Sequence, residues 1–198
     1  MNLTFPHRKE TLAFNFLSLQ AGGRWNKLKA LKLVYFADRC HLRRYGRPIT
    51  NDRYLAMEYG PVASSCKDLA EMSEFLGREE TEYARRFLAP AGHDYTSVGE
   101  VDVDEFSQTD LEALEFAWSE YGHKDGFKLA EETHLFPEWK RHEARLGSPY
   151  ESRVPMAYGD FFENPPAGVD RLPPLSPDEQ ADLREQLDEL HSVESLWR

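Results

Sequence analysis

The sequence predicts an α+β fold, mainly α-helical: a helical bundle-like domain with a small antiparallel β-sheet and a C-terminal amphipathic helix. Apolar residues recur at helical spacing along most of the chain. Short alternating runs bounded by glycine and proline interrupt them, and a capped, leucine-lined segment closes the sequence. A first helix starts near Arg8, with Leu12, Phe16 and Leu19 on one face, and Gly22 and Gly23 end it. A second covers about residues 26–45 and stops at Gly46, with Pro48 just beyond. In RYLAMEY, Tyr54, Ala56 and Glu58 alternate with Leu55, Met57 and Tyr59, the pattern of a short strand. Gly60-Pro61-Val62 then reads as a turn that aims a third helix over 62–77. Residues 83–88 and 95–98 flank Ala89-Pro90-Ala91-Gly92 as a hairpin, which is expected to share one sheet with the strand at Tyr54. Thr109 followed by Glu112 reads as a capping box for a helix through Leu111, Leu114, Trp118 and Tyr121. Shorter helical pieces follow, over 126–132 and from THLFPEW to Gly147.

Residues 1–150 read as one domain, and 151–198 as a proline-rich linker and an acidic C-terminal helix. PPAGVDRLPPLSP has the composition of an extended linker. Ser176-Pro177-Asp178-Glu179 combines a serine cap, a proline at the first helical position and a glutamate at the third. Leu183, Leu187, Leu190 and Trp197 line one face of that helix, and from Ser176 onward there are seven acidic and two basic residues. Such a helix is marginal alone, so it packs back onto the domain, pairs with a second copy of the chain or orders on a partner.

Composition narrows the function classes. The 40% hydrophobic and 13% aromatic content of the 198 residues suits a packed globule. A formal charge of −11 argues against nucleic acid as the default partner. Cys40 and Cys66 are the only cysteines, which gives no disulfide framework and no CxxC metal signature. The N-terminal MNLTFPHRKE has no apolar signal-peptide core, and no run approaches the length of a membrane helix, so a cytoplasmic location is expected.

One segment departs from the acidic background. Between Arg24 and Arg47 there are eight Lys or Arg residues and a single acid, Asp38. On a helix turning about 100° per residue, Leu28, Leu31, Val34, Tyr35, Leu42 and Tyr45 share one broad face. Lys29, Lys32, Phe36, Arg39 and Arg43 share the other. That second face is either a solvated charged surface or, with a phenylalanine among cations, a partner-binding hot spot. Asp38 and His41 project onto the apolar side beside Val34 and Tyr45. A buried carboxylate needs hydrogen-bond donors, and the backbone that follows the helix, from Arg47 to Tyr54, is the nearest source. The pair is therefore a structural clamp on that turn or an acid–base couple; no nucleophile, phosphate loop or metal triad accompanies it, which favours the clamp. His123, His134 and His142 lack HExxH spacing and clustered cysteines, so neither a metal nor a cofactor is expected.

The run KLVYFADRCHLRRYGRPITNDRYLAMEYGPV resembles the Panacea domain, the family of SocA-type antitoxins of bacteria and phages. The resemblance is carried by Lys32, Phe36, Ala37, Asp38, His41, Tyr45, Gly46, Arg47, Pro48, Ile49, Asp52, Tyr54, Gly60, Pro61 and Val62. It continues more weakly through Phe106-Ser107-Gln108-Thr109-Asp110, Tyr121-Gly122, and Thr133-His134 with Trp139, and so spans about residues 8–146. The resemblance implies a mainly helical domain with a small sheet, and an antitoxin that neutralises a co-encoded toxin by direct binding. Its SocA branch implies the alternative, an adaptor that delivers the toxin to a ClpXP-type protease. Where the family often continues P-S-x-x-Y after GPV, this chain has Ala63-Ser64-Ser65-Cys66, and the tail from about 165 lies outside the pattern.

Overall fold

A computed structural model of the chain describes residues 7–100, 102–148 and 150–196. Helix α1 (His7–Gln20) leads through strand β1 (Arg24–Asn26) into α2 (Lys27–Tyr45), the element around which the rest is built. The Asn26 side chain caps α2 by accepting from the Lys29 N–H, and Gly46 ends it in the left-handed region at φ 70°, donating to the Leu42 carbonyl at 2.9 Å. The chain then forms β2 (Tyr54–Met57), β3 (Gly60–Ala63), α3 (Ser64–Glu71), α4 (Arg78–Ala84), β4 (Leu88–Ala91) and β5 (Asp94–Ser97). Next come α5 (Gln108–Tyr121), α6 (Gly126–Thr133), α7 (Pro137–Lys140), α8 (Glu143–Leu146) and β6 (Arg153–Pro155). A 3-10 turn (Tyr158–Phe162) and α9 (Pro177–Leu196) close the described chain. The mainly helical α+β class read from the sequence is the class observed.

Every residue of α2 from Ala30 to Arg43 is buried. Helices α1, α3, α5 and α6, strand β3 and the 3-10 turn pack around it. Phe36 stacks on Tyr121 of α5 with ring centroids 3.7 Å apart, and Tyr35 meets Tyr54, Phe136 and Phe161. Such a helix has no solvated face along its middle, although a helical projection assigns it one.

Several boundaries differ from those expected. The strands form two antiparallel sheets, ordered β1-β5-β4 and β3-β2-β6, so the hairpin and the strand at Tyr54 do not share one. Gly60-Pro61-Val62 is strand rather than turn; Met57 pairs with Gly60 across the two-residue turn at Glu58 and Tyr59. Pro61 is tolerated because β3 is an edge strand, where its missing N–H breaks no ladder. The helix expected over 62–77 is confined to α3, and Tyr83 belongs to α4, which shifts the hairpin's first strand to Leu88. The capping box of α5 is Ser107 with Asp110, not Thr109 with Glu112.

The segment 151–198, expected as a linker and an appended helix, packs into the same core as residues 1–150. Strand β6 pairs with β2, Phe161 and Phe162 are wholly buried, and Leu172, Leu183 and Leu187 join the core. Helix α9 lies back against the turn after α2: a Cβ on Gly46 would stand 2.7 Å from Gln186 Oε1 and 3.6 Å from a Leu183 methyl. Trp197, expected on the same face, lies outside the described residues.

Candidate functional site

Two buried carboxylates organise the connection between α2 and β2. Asp38 Oδ1 accepts from the Ile49 and Thr50 N–H groups at 2.8 and 3.0 Å, and Oδ2 accepts from the Thr50 hydroxyl and, at 2.9 Å, the Tyr54 hydroxyl. Burial pushes the Asp38 carboxyl up to about 6, and these donors work in the opposite direction. Asp52, from the same connection, accepts from the Ser65 and Cys66 N–H groups at 2.8 Å. It thereby satisfies the start of α3, where Ala63 offers no side-chain cap. Burial raises its carboxyl as well.

His41 anchors the same turn. Its Nδ1 lies 2.7 Å from the Arg47 carbonyl, and its Nε2 lies 3.0 Å from the Thr109 hydroxyl and 3.2 Å from Asp110 Oδ1. Burial holds the imidazole below its ordinary pKa, and Nδ1, which faces a carbonyl, is a nitrogen that donates. Arg47 Nη2 reaches Asp110 at 3.2 Å and Lys9 reaches it at 2.8 Å. Burial alone would raise the Asp110 carboxyl, but Lys9 and Ser107 outweigh it and hold the group below the usual range. Pro48 and Ile49 are buried on this turn. Tyr45, expected on the inner face, stands at the rim and donates to Glu112 at 3.0 Å, because the last turn of α2 runs on beside the start of α5.

The five cations and aromatics expected on an outward face are not on one. Lys32, Phe36, Arg39 and Arg43 are buried, and only Lys29 remains partly exposed. Each cation has a specific interior role. Arg39 Nε donates to Glu138 at 2.7 Å and its Nη1 to Asp170, while Tyr35 donates to the same Glu138 oxygen at 2.7 Å. Arg43 donates to the carbonyls of Phe161 and Glu163 at 3.1 and 3.0 Å and to Asn164 Oδ1 at 2.8 Å, and so pins the irregular segment that follows the 3-10 turn. Lys32 donates to the Pro61 carbonyl at 2.7 Å. Gly60 leaves room for this contact: at φ 91°, a Cβ there would fall 2.2 Å from Thr133 Oγ1 and 3.0 Å from Lys32 Nζ.

Lys32 gives a pH signature. Among the described residues no carboxylate pairs with it, and burial pushes its ammonium down to about 7, against 10.5 for an ordinary lysine. Above pH 7 the unfolded chain therefore binds a proton that the folded one does not, so this group makes stability rise with pH. Lys32→Met should remove that rise. Urea midpoints between pH 7 and 8.5 should show the wild type gaining on the variant as pH increases.

Two exposed surfaces combine aromatic or apolar side chains with charge. One is a groove of about 450 Å³ lined by Arg24, Trp25, Lys29, Trp118, Asp125 and Phe127. Lys29 Nζ donates to the Gly122 carbonyl at 2.6 Å and sits 5.5 and 5.8 Å from the Trp25 and Trp118 rings. Phe127 is 65% exposed and meets Tyr59, 52% exposed, edge-on at 6.1 Å. The other surface is the end of α9, where Leu190, Val193 and Leu196 are exposed beside Glu185, Asp188 and Glu189.

A small, mainly helical α+β scaffold, its polar interior committed to holding backbone turns, is the class that fold and site together define. The chain belongs to the SocA-like antitoxin family, Panacea domain, whose sequence model matches residues 31–140, more than half of its length. No curated protein and no solved structure matches it. The matched segment holds Lys32, Asp38, His41, Asp52 and Glu138, and leaves out Glu10 and Asp170.

Proposed function

We propose that this protein is an antitoxin that neutralises a co-encoded toxin by binding it directly, in the cytoplasm. The family match across residues 31–140 carries the reading. The site supports binding over turnover: Asp38 and His41 are wholly buried, and their polar atoms are engaged by the turn and by α5. The contact surface of the proposal is the aromatic groove, with Lys29 retained from the basic segment and joined by Trp25, Trp118, Phe127 and Tyr59, the side-chain types that dominate interface hot spots. No helix among the described residues is long and apolar enough to cross a membrane.

Co-expression with the neighbouring reading frame tests this. The neighbour should arrest growth alone, and the pair should grow and co-purify as a stable complex. Phe127→Asp and Tyr59→Asp, both at exposed positions, should leave the fold intact and weaken the complex at least about tenfold. Rescue without a complex, and only when a ClpXP-type protease is present, would replace direct inhibition with delivery. A harmless neighbour and no toxin in a pull-down would overturn both.

A further inference from the structure

Glu10 of α1, Asp52 of the turn after α2 and Cys66 of α3 converge in the interior. One ligand atom from each lies within 4.8 Å of the others, and all three residues are buried. Glu10 is the unexplained member. Among the described residues no N–H or O–H group donates to either of its oxygens, and the Cys66 thiol lies beside them. The charged groups that face it are Asp52, Asp38 and, farther out, Glu80, all acidic. A fully buried carboxylate among other carboxylates requires a compensating positive charge or a proton.

We propose that Glu10, Asp52 and Cys66 form a buried binding site for a divalent cation of the zinc class. A thiolate with two carboxylates suits zinc and excludes calcium and magnesium, which take oxygen ligands. The fourth position would be a water. Asp52 is held for the role as ligating carboxylates commonly are, by N–H groups of Arg53, Ser65 and Cys66. A tetrahedral zinc spaces such donors roughly 3.3–3.6 Å apart, so atoms that lie within 4.8 Å of one another need close by at most about 1.5 Å on binding. On binding, the Cys66 S–H proton and the proton that Glu10 holds in the metal-free site both pass to solvent as the metal–sulfur and metal–oxygen bonds form. The ion would tie α1 to the start of α3 and to the turn that Asp38 holds.

The test uses the full chain. Protein purified without chelator should carry about one zinc by elemental analysis, and chelation should lower the melting temperature by ~5 °C or more, reversed by zinc alone. Glu10→Gln and Cys66→Ser should each lose the metal and the zinc-dependent shift. No bound zinc and no response to zinc or chelator in the wild type would overturn the proposal without recourse to any variant. A Glu10→Gln protein at least as stable as the wild type would also overturn it, since a site filled by protons gives that sign. So would undiminished zinc binding in both variants, which places the ion elsewhere.

Discussion

Asp38→Ala is expected to cost the protein about 3–5 kcal/mol of stability, measured by urea unfolding at neutral pH. Removing the carboxylate strands the Ile49 and Thr50 N–H groups and the hydroxyls of Thr50 and Tyr54. Each buried donor left without an acceptor costs about 1–3 kcal/mol. The total stays below the sum because the variant no longer buries a charge. Asp38→Asn, which keeps an acceptor in place, should recover at least half of the loss. Its pH profile carries a second check. A folded pKa of about 6, above the ordinary 3.8, means the native state binds the extra proton between those values. The stability that Asp38 contributes should therefore decline as pH rises from about 4 to 6, and Asp38→Asn should lack this slope. An Asp38→Ala protein of wild-type stability would refute the clamp, and one that had lost only a turnover would point to an acid–base pair.

Arg39→Met should be comparably severe, at about 3–5 kcal/mol, for a different reason. It deletes the cation between Glu138 and Asp170 and leaves the Glu138 carboxylate wholly buried and the Asp170 carboxylate largely so. Arg43, 3.8 Å from Asp170, cannot replace it at Glu138. The same variant leaves Asp170 with only the weaker 3.8 Å pair to Arg43, so limited proteolysis should begin to cut within 163–175 before the core opens. Converting Glu138 and Asp170 to neutral residues in the Arg39→Met background should restore much of the stability, because a buried network removed whole leaves no unpaired charge. If the single variant unfolds at the wild-type urea concentration, the network is not holding the segment.

What could be read from the sequence was what short-range chemistry determines. The ends of α2 were legible because Asn26 and Gly46 act within a turn of their own position. The need of Asp38 for backbone donors was legible because they lie only 11 and 12 residues on. The burial of Lys32, Arg39 and Arg43 was not. Their acceptors lie 29 residues away at Pro61, 99 at Glu138 and 118 at Phe161, and a helical projection knows nothing of partners that distant. It reads charge as exposure. Strand β6 was hidden for a related reason: RVP is too short to show alternation, and it exists only because β2 offers an unpaired edge. Glu10 carried no signal of its own, being a single acid inside a helical pattern. Its neighbours come from residues 52 and 66, and no local spacing relates the three.

The long return of the chain across α2 bears on how the protein is made. Arg43 grips residues 161–164, and Leu183 and Leu187 complete the core, so the cover that α1, α5 and α6 begin over the central helix is finished by segments more than 100 residues downstream of it. At roughly 5–20 residues per second, α2 waits on the order of 7–28 s for Leu187 to be added. During that interval a nascent chain presents an open apolar interior to chaperones and proteases. A polypeptide halted after residue 150 would keep it open and be degraded. Molecules that carry the chain past Leu187 would accumulate, so the working supply would follow the rounds of translation that pass that point rather than all those initiated.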